Sequence, residues 1–521
     1  MKIIFTSDTH GHIYPINYAT GKEENSGLFR IASQIKNEID GNTLVIDGGD
    51  SLQGTPLMTY YLGNRGKYDF NPMAEGFNAM GLNYYTLGNH DFNYGYDAIA
   101  DYTKAMKATL ICANVEDKRG ELGIKKHVIH TLEDGTRVGI TGAVTGYVNV
   151  WEQEKNLTEL EITDPIEALK KELAEIKDES DITVCIYHGG FEEDLATGQR
   201  LSDTEENQAC KIARELEFDI LLTGHQHMSV PEAMIENTYG VQPPDKAMKY
   251  CVIEACKGAD SRNAQTTVNG WNVTSNLITV SANEEVYNEI LASHSFMEDM
   301  NKSLQIWLDE PIGCLENEIK PEEKLDAALH GSKVASIFNQ VQLELTGADF
   351  SCTSLANEPL GLHKEITVRD ILGIYQFANT EEVKEVTKAD IKLALERCAE
   401  YFDYDANTKE VKISDVFLQP KIEHYNYDYY AGLWYEFDLT RPVGDRVVVM
   451  KKMDGTELSD NEKYTLVTSN YRATGTGGYE CIGKCKTIRT YPEEMPDLVI
   501  DFVRRNSPVG EIVNSKFKCI Y

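Results

Sequence analysis

The chain has 521 residues, with 84 Asp and Glu against 50 Lys and Arg, and a formal net charge of −34. At about 100–200 residues per domain, this length predicts two to four domains that each bury a core. The charge argues against polymeric nucleic acid as a partner, because phosphate backbones are bound by clustered Lys and Arg. No stretch approaches the roughly 18 consecutive apolar residues that span a membrane.

Cysteine usage and the N-terminus both bear on the compartment. Eleven cysteines are scattered from Cys112 to Cys519 without a short repeated spacing, which is typical of free thiols in a reducing compartment. The first residues enter a strand pattern at once, with no basic segment, apolar segment or cleavage site. As given, the sequence predicts a cytoplasmic protein. A chain whose leader had been removed would look the same and would be periplasmic or extracellular.

Residues 1–260 alternate short apolar runs with amphipathic stretches, which is typical of an α/β layered domain. Between the runs lie helix signals such as Asp164-Pro165, which opens a predicted helix over 166–177. We assign residues 1–282 to this first domain. The predicted strands are 2–8, 43–50, 84–91, 108–115, 137–144, 182–190, 219–225 and 249–256.

Most of these strands end in polar residues or glycine. In α/β folds, ligand sites gather at the carboxyl ends of the strands. Polar motifs at five strand ends therefore indicate a site at that edge of the sheets. The motifs are Asp8-Thr-His10, Gly49-Asp50, Gly88-Asn-His-Asp91, His188-Gly-Gly190 and Gly224-His-Gln-His227.

Apolar residues recur at three-, four- or seven-residue spacing from Val286 to Trp307. The spacing predicts one long helix, capped near Ser281 or Asn283 and stopped by Pro311. At 1.5 Å per residue it would be roughly 36 Å long, so we interpret residues 283–310 as a linker helix between two domains. A helix packed wholly on the first domain is the alternative.

Residues 311–521 form a second mixed region. It has predicted helices over 330–345 and 388–401, and predicted strands over 433–439, 446–450 and 464–468. The sequence shows no internal repeat and no low-complexity stretch. We therefore predict a second, smaller α/β domain.

The side chains at the strand ends suit the binding of divalent metals such as Zn, Mn, Fe, Co or Mg. Alternating positions on a strand end point the same way, so Asp8 is expected to converge with His10, and His225 with His227. Asp50 is the candidate to bridge two ions about 3.5–4 Å apart. Each residue alone is more often structural, but their joint occurrence predicts a metal site. The candidates are Asp8, His10, Asp50, Asn89, His90, His188, His225 and His227.

With these motifs the chain resembles the calcineurin-like metallophosphoesterases. Its second half resembles the C-terminal domain of the bacterial 5′-nucleotidase and 2′,3′-cyclic-nucleotide phosphodiesterase group, through residues 346–350, 375–380 and 469–479. The resemblance implies a four-layer α/β/β/α sandwich, a long linker helix and a smaller mixed α/β domain that binds nucleotides. It also implies hydrolysis of phosphoester bonds in nucleotides at a site with two divalent metal ions.

The resemblance further implies a role for each candidate. His90 would face the phosphate and stabilise its oxygens or protonate the leaving oxygen, as a group that titrates near neutrality can. The two dications would clamp the phosphate and generate hydroxide near neutral pH, which attacks phosphorus in line. One ion would be held by Asp8, His10, Asp50 and His227, and the other by Asp50, Asn89, His188 and His225.

Two departures from the 5′-nucleotidase branch bear on the substrate. That branch usually has an Asp three residues after the histidine that corresponds to His90. Here the residue is Asn93. An amide has no negative charge to favour the imidazolium form of the histidine. The sequence also has no arginine between Arg262 and Arg369, so a terminal 5′-phosphate lacks its best partner. Both departures favour a 2′,3′-cyclic nucleotide or a 3′-nucleotide, with Asn93 supporting His90 from behind.

By the same resemblance, Phe377 and Tyr471 would sandwich the nucleobase, a contact worth about 1–3 kcal/mol per base. Asn470 and Arg472 would touch the nucleoside. For Phe377 a place in the core is the alternative, whereas Tyr471 lies in a polar, glycine-rich stretch where a buried aromatic would be out of place. The expected partner is a small nucleotide; the oligomeric state and the role of residues 231–270 stay open.

Two other functions stay open at this point. One is a 5′-nucleotidase or nucleotide-sugar hydrolase on the same scaffold, which a comparison of 2′,3′-cyclic AMP with 5′-AMP would distinguish. The other is a non-catalytic nucleotide-binding or surface-interaction protein, against which the complete set of metal ligands argues. The acidic charge does not oppose phosphate chemistry, because bound dications would neutralise Asp8 and Asp50 and make the local field positive.

Overall fold

The computed structural model describes residues 1–200, 204–257, 266–281, 283–358, 360–375, 377, 379–419, 421–491 and 493–521. The chain divides into two compact units, residues 1–304 and 305–521. The predicted division into 1–282, 283–310 and 311–521 stays a prediction. Within the described ranges, no helix combines the length and the apolar composition that a membrane crossing requires.

The strands of the first unit are rich in Ile, Val and Leu, and several are buried along their whole length, as expected of sheets covered on both faces. They confirm the eight predicted strands, most of which end earlier than expected because their last polar residues lie in the following loops. The strands are β1 (Lys2–Thr6), β2 (Thr43–Asp47), β3 (Tyr84–Tyr85), β4 (Thr109–Leu110), β5 (Val115–Asp117), β6 (His127–Thr131), β7 (Arg137–Val144), β8 (Leu160–Ile162), β9 (Ile182–His188), β10 (Ile220–Thr223), β11 (Val230–Ile235), β12 (Thr238–Gln242), β13 (Lys249–Lys257), β14 (Thr266–Val268) and β15 (Trp271–Thr279).

Two sheets of this unit pack face to face. The first has the strand order β14-β15-β13-β1-β2-β3-β4, and the second has the order β11-β12-β10-β9-β7-β6. Side chains from both sheets, such as Phe5 and Ile46 of the first and Ile186 and Leu222 of the second, form one apolar core between them. Strands β1 to β4 are parallel, and so are β7, β9, β10 and β12.

Helices complete the predicted α/β/β/α sandwich. The helix expected over 166–177 is confirmed, with Asp164 as its cap and Pro165 in its first turn. Its buried residues Leu169 and Leu173 pack on the outer face of the second sheet. The helices of this unit are α1 (Leu28–Ile35), α2 (Pro56–Gly63), α3 (Pro72–Met80), α4 (Tyr96–Ala105), α5 (Val148–Trp151), α6 (Pro165–Ile176), α7 (Ala209–Leu216), α8 (Glu284–Ser293) and α9 (Glu298–Leu308), the last of which runs past Leu304 into the second unit.

The prediction of a single linker helix is wrong. The chain forms two helices, α8 and α9, separated by a 3₁₀ turn at Ser295–Met297. The first begins at its predicted cap, Asn283. It ends at Ser293, and the next residue, His294, has its Nδ1 2.8 Å from the carbonyl oxygen of Ile290 and packs its ring on Phe29. Because the apolar spacing continues through the turn, periodicity alone could not reveal the break.

The second unit is a mixed α/β structure, as predicted. Its strands are β16 (Pro311–Cys314), β17 (Phe350–Ser354), β18 (Glu365–Thr367), β19 (Glu381–Thr387), β20 (Phe402–Asp405), β21 (Glu410–Ile413), β22 (Asp428–Ala431), β23 (Leu433–Asp438), β24 (Val447–Lys452), β25 (Lys463–Ser469), β26 (Lys486–Tyr491) and β27 (Lys516–Ile520). A five-stranded sheet of order β22-β17-β25-β19-β26 and a three-stranded sheet of order β24-β23-β27 are its largest sheets among the described residues. The strands expected near 433–439, 446–450 and 464–468 are confirmed as β23, β24 and β25.

The helices of the second unit also follow the sequence signals. The helix predicted over 388–401 is confirmed, and the one predicted over 330–345 begins after Ser332, whose side chain accepts a hydrogen bond from the Ala335 N–H. The helices are α10 (Lys324–His330), α11 (Lys333–Thr346), α12 (Val368–Ile374), α13 (Lys388–Ala399), α14 (Asn470–Ala473), α15 (Glu480–Gly483) and α16 (Met495–Asn506).

The cysteines are free thiols, as the sequence predicts. All eleven lie among the described residues, and none of them is in a disulfide. Six of them are buried, so they fill space in the cores of both units. The cytoplasmic location stays a prediction.

Candidate metal centre

Five of the predicted metal ligands have left-handed backbone conformations. The φ angles are 54° for Asp8, 46° for His10, 59° for Asp50, 72° for His225 and 58° for His227. Such a backbone costs a residue other than glycine about 1–3 kcal/mol and persists where the surrounding structure enforces it. The expectation that alternation along a strand end brings these side chains together is therefore wrong, because they lie beyond the strands, in turns. Asp8 and His10 converge as expected, but His225 and His227 belong to different groups.

Hydrogen bonds hold the turns in one arrangement. The Asp8 N–H donates to the Gly49 carbonyl at 2.9 Å, and the His10 N–H donates to the Asp50 carbonyl at 2.9 Å. The His225 N–H donates to the Asp8 carboxylate, with distances of 2.9 and 3.0 Å to its two oxygens. Loops from both sheets are thus fixed against one another.

Asp91, the last residue of the Gly-Asn-His-Asp motif, braces the loop that carries Asp50. Its buried carboxylate accepts hydrogen bonds from the N–H groups of Gly88, Asp50, Ser51 and Leu52, at 2.8 to 3.0 Å. A Cβ on Gly88 would lie 2.2 Å from Asp50 Oδ1. The motif therefore needs its glycine for close approach and its aspartate for support, which sequence reasoning did not assign.

Asp8, His10 and His227 form the first of two groups, in which one ligand atom of each residue lies within 4.8 Å of the others. His10 Nε2 is 3.0 Å from His227 Nε2, which is 3.4 Å from Asp8 Oδ1. Ligands that bind one ion at about 2.0–2.2 Å have such separations. The Gln53 carbonyl oxygen lies 2.9 Å from His10 Nδ1, which leaves Nε2 to face the group.

Asp50, His188 and His225 form the second group. His188 Nε2 is 3.2 Å from Asp50 Oδ2 and 3.2 Å from Asn89 Oδ1. His225 Nδ1 is 2.8 Å from the same Asn89 oxygen, so this amide oxygen points into the group. The Gly48 carbonyl oxygen, 2.7 Å from His188 Nδ1, leaves Nε2 of that ring for a metal.

Asp50 lies between the two groups. Its Oδ2 is 3.9 Å from His10 Nε2 and 3.2 Å from His188 Nε2. One carboxylate shared by two sets of imidazole, carboxylate and amide ligands is the donor arrangement of a site for two divalent ions, and the residues present fit that cofactor. The structure brings all seven predicted ligands together in the two predicted sets. The binding of each ion by its set stays a prediction.

Burial and charge set the protonation of this cluster. Burial lowers the pKa of His10 to about 4, so the ring is neutral at neutral pH, the form that binds a metal. Burial raises the pKa of Asp50, but the charges of His188 and His90 outweigh it and bring the pKa well below its usual range. For His188, burial lowers the pKa, but the Asp50 carboxylate outweighs burial and raises it to about 10. A metal ion held by His188 would displace that proton.

His90 stands beside the metal ligands without joining either group. Its backbone N–H donates to Asp50 Oδ1 at 2.7 Å, and its ring lies 5.6 Å from the ring of His10. Its Nδ1 is 2.9 Å from Asn93 Oδ1, so Nε2 is the nitrogen left for a substrate. These positions agree with His90 facing the phosphate and Asn93 supporting it from behind, and both roles stay predictions.

Two carboxylates that the sequence did not single out lie next to histidines that are predicted to bind metal. Glu206 Oε1 is 2.9 Å from His225 Nε2, and Asp245 Oδ2 is 3.4 Å from His227 Nδ1. Carboxylates in such positions orient a metal-bound imidazole and raise its basicity. Asp245 gives a function to part of the segment 231–270, of which 258–265 lie outside the described residues. Neither carboxylate belongs to a motif, so no sequence spacing could have found it.

In the second unit, the two predicted aromatics are accessible. Tyr471 is half-buried on α14, and Phe377 is 39% exposed, which overturns the alternative of a place in the core. The Asn470 N–H donates to the Thr380 carbonyl at 2.8 Å, and the Thr380 N–H donates to Asn470 Oδ1 at 3.1 Å. Asn470 therefore ties α14 to the loop that contains Phe377, and its predicted nucleoside contact stays a prediction.

The structure corrects the prediction that Arg472 touches the nucleoside. This side chain is buried, and its guanidinium binds the Asp428 carboxylate at 2.8 and 3.0 Å. It also donates to the carbonyl oxygens of Tyr425 and Thr476 and lies over the ring of Tyr479. A buried guanidinium with this set of acceptors is part of the core, so it is not available to a substrate.

Two known families match different parts of the chain. Residues 1–229 match the calcineurin-like phosphoesterase family. Residues 311–484 match the C-terminal domain of 5′-nucleotidases. The first match contains every predicted metal ligand and His90, and the second contains the two predicted aromatics.

Similar proteins align over almost the whole chain. The trifunctional nucleotide phosphoesterase of Bacillus subtilis is 25% identical over 98% of this chain, which spans 38% of that protein. A 2′,3′-cyclic-nucleotide 2′-phosphodiesterase/3′-nucleotidase of Haemophilus influenzae is 23% identical over 99% of this chain and 86% of its own length. A crystal structure from Staphylococcus aureus, assigned as a 5′-nucleotidase, is 29% identical, has a TM-score of 0.86, and covers 99% of this chain and 100% of its own.

Proposed function

Because the chain belongs to the calcineurin-like phosphoesterases with a 5′-nucleotidase C-terminal domain, we propose that it is a 2′,3′-cyclic-nucleotide 2′-phosphodiesterase and 3′-nucleotidase. It is a metal-dependent hydrolase of phosphoester bonds, and its cofactor is a pair of divalent ions. One observation carries the choice of substrate. Asn93 Oδ1 lies 2.9 Å from His90 Nδ1, at the position where the 5′-nucleotidase branch has a carboxylate.

The proposed chemistry divides between the metal ligands and His90. The bound ions stabilise the charge of the phosphate and activate the attacking water. Asp50 would be a ligand of both ions, because its Oδ2 lies 3.9 Å from His10 Nε2 and 3.2 Å from His188 Nε2. His90 directs its Nδ1–H to Asn93 and presents Nε2. When Nε2 also carries a proton, it can donate a hydrogen bond to a phosphoryl oxygen or give that proton to the leaving sugar oxygen.

An amide behind His90 suits an ester with a single negative charge. A carboxylate at position 93 would favour the imidazolium form more strongly than Asn93 does, and it would suit a phosphate with two charges better. The sequence has no arginine between Arg262 and Arg369. The guanidinium of Arg369 donates two hydrogen bonds to Asp309 Oδ1, at 2.7 and 2.9 Å. A terminal phosphate therefore lacks a guanidinium fork in this stretch, whereas a cyclic ester does not need one.

For the nucleoside, we propose contacts with Tyr471 and Phe377. Both rings are accessible, and Asn470 joins their two segments through its paired hydrogen bonds with Thr380. Stacking on an aromatic ring is tolerant of the base, because every base has a π-face. We therefore expect little preference between purine and pyrimidine substrates.

A substrate panel tests the proposal. Purified protein, reconstituted with Mn or Zn, is compared on 2′,3′-cyclic AMP, 3′-AMP and 5′-AMP, with chelator-treated protein as the control. We expect kcat/KM for 2′,3′-cyclic AMP to exceed that for 5′-AMP by about 10-fold or more. The terminal phosphate of 5′-AMP lacks a guanidinium partner, and a loss of about 1.4 kcal/mol in transition-state binding corresponds to that factor. A preference for 5′-AMP would support a 5′-nucleotidase instead. Activity on neither substrate would reject both.

A further inference from the structure

Glu152 continues the hydrogen-bond chain that runs from His90 through Asn93. Glu152 directly follows α5, and its Oε2 accepts a hydrogen bond from the Asn93 side-chain amide at 2.8 Å. Its Oε1 accepts from the Gln153 N–H at 2.7 Å and from the Asn156 side-chain amide at 2.8 Å. The Glu152 carboxylate thus faces three donors, and none of them belongs to a metal ligand.

The segment around Glu152 is fixed from both sides. The Asn156 amide also donates to the backbone carbonyl of Asn93 at 2.9 Å, so its NH₂ group must point towards Asn93 and Glu152. The ring of Trp151 stacks on the ring of His225, with 5.4 Å between centroids and 23° between planes. Glu152 therefore has a defined position next to the metal centre without taking part in it.

Hydrogen-bond chemistry decides which way the Asn93 amide points. A carboxylate oxygen only accepts, so the part of Asn93 that faces Glu152 is its NH₂ group. The amide oxygen then faces His90 Nδ1, at 2.9 Å. Because an amide oxygen also only accepts, Nδ1 must carry a proton, and Nε2 is the nitrogen that exchanges a proton with the substrate.

We infer that Glu152 is a positioning residue, which keeps the proton of His90 on Nδ1 by fixing the orientation of the Asn93 amide. It acts through Asn93 and does not touch the substrate. Its consequence for catalysis rests on the proposed function. The position of the proton is a property of the protein alone and is measured without a substrate.

The same contacts explain why position 93 has an amide. A carboxylate there would lie 2.8 Å from the carboxylate of Glu152, and like charges at that distance cannot both ionise without a large penalty. Exchanging the two groups, in the double variant Asn93→Asp with Glu152→Gln, conserves every hydrogen bond. The new carboxylate accepts from His90 and from the new amide, whose oxygen still accepts from Gln153 and Asn156.

The direct test is the tautomer of His90 in the variant Glu152→Gln. The new side chain keeps its oxygen towards the two donors Gln153 and Asn156, so its NH₂ group faces Asn93 and turns that amide round. His90 Nδ1 then faces an NH₂ group, and the proton moves to Nε2. ¹⁵N spectra of histidine-labelled protein, with the signals of His90 identified by their loss in His90→Ala, should show Nδ1–H in the wild type and Nε2–H in Glu152→Gln.

The matched control is Glu154→Gln, which changes an exposed glutamate of the same segment and should keep Nδ1–H. Circular dichroism and the Tm of each variant establish that it is folded. The same tautomer in the wild type and in folded Glu152→Gln would overturn the inference, and so would an Nε2–H tautomer in the wild type.

Kinetics provide the second test. Glu152→Gln should lower kcat for 2′,3′-cyclic AMP roughly 10- to 100-fold with little change in KM, as variants of groups that orient a catalytic residue do. Asn93→Asp alone should also lower kcat for 2′,3′-cyclic AMP. The double variant should recover the Nδ1–H signal of His90 that Glu152→Gln loses, and a double variant that keeps Nε2–H would contradict the pairing. A wild type that hydrolyses no nucleotide would reject the proposed function but leave the tautomer test in force.

Discussion

The buried charged side chains of the first unit converge on the candidate metal centre, whereas those of the second unit form an ion pair inside its core. Asp8, Asp50 and His188 are almost fully buried, and each contributes a ligand atom to one of two convergent groups. In the second unit, the buried pair of Arg472 and Asp428 is satisfied by core contacts. The accessible groups of that unit's predicted nucleoside site are aromatic, Tyr471 and Phe377.

The difference shows how backbone geometry decides whether a polar residue is available. In the first unit, left-handed turns at positions such as Asp8 and Asp50 direct carboxylates into the centre. In the second, α14 presents Tyr471 partly to solvent and buries its neighbour Arg472. Two adjacent residues of one motif therefore have opposite environments. Four substitutions test whether the buried charges of the two units have these different roles.

The largest effect is expected from Asp50→Asn. This carboxylate lies near both groups, so its loss should abolish the binding of both ions and lower phosphodiesterase activity roughly 10³-fold or more. Metal analysis and hydrolysis of 2′,3′-cyclic AMP measure the two effects. The control is Asp69→Asn, an exposed aspartate of the same unit. Retention of both ions by Asp50→Asn would show that the groups do not share this ligand.

Arg472→Ala should lower the free energy of unfolding of the second unit by about 3–5 kcal/mol, because it leaves the Asp428 carboxylate buried without its partner. Denaturant titration measures this change, and Arg505→Ala, an exposed arginine of the same unit, is the control. A variant as stable as the wild type that has only a higher KM would restore the original prediction of a nucleoside contact.

His90→Ala should keep both ions and lower kcat about 10²-fold or more, because the side chain joins neither group of ligands. Metal content and steady-state kinetics are measured on the same preparation. The exposed His330→Ala serves as the control. If His90→Ala loses metal, His90 belongs to the centre and not to the substrate side.

Tyr471→Ala tests the second unit's role in binding and has the smallest expected effect. It should raise KM for 2′,3′-cyclic AMP by an amount equivalent to about 1–3 kcal/mol, the value of one stacked base. Hydrolysis of bis-p-nitrophenyl phosphate, which has no nucleobase, should be spared. Equal losses on both substrates would refute stacking on this residue.

The sequence predicted the functional residues that lie in short motifs. It did not predict residues whose role depends on contacts with distant parts of the chain. His188 and Asp50 could be found because each lies in a short motif at a strand end. Glu206 and Asp245 could not, since only folding brings them behind their histidines. The burial of Arg472 likewise depends on an aspartate 44 positions earlier in the chain.

The same limit applies to the fold. The alternation of apolar runs and helix signals was sufficient to predict two α/β regions and their strands. The break between α8 and α9 was not predictable, because no Gly or Pro marks it and the apolar spacing continues through the turn. Local patterns predict elements, and tertiary contacts decide where they are interrupted.

We propose that two sets of ligands that share Asp50 hold the two ions that hydrolysis requires. Metal stoichiometry, measured together with hydrolysis of 2′,3′-cyclic AMP during stepwise return of Mn or Zn to chelated protein, tests it most directly. We expect two ions per chain and activity that returns only as the second ion binds. One ion or none per chain in the fully active protein, or full activity after chelation, would contradict it.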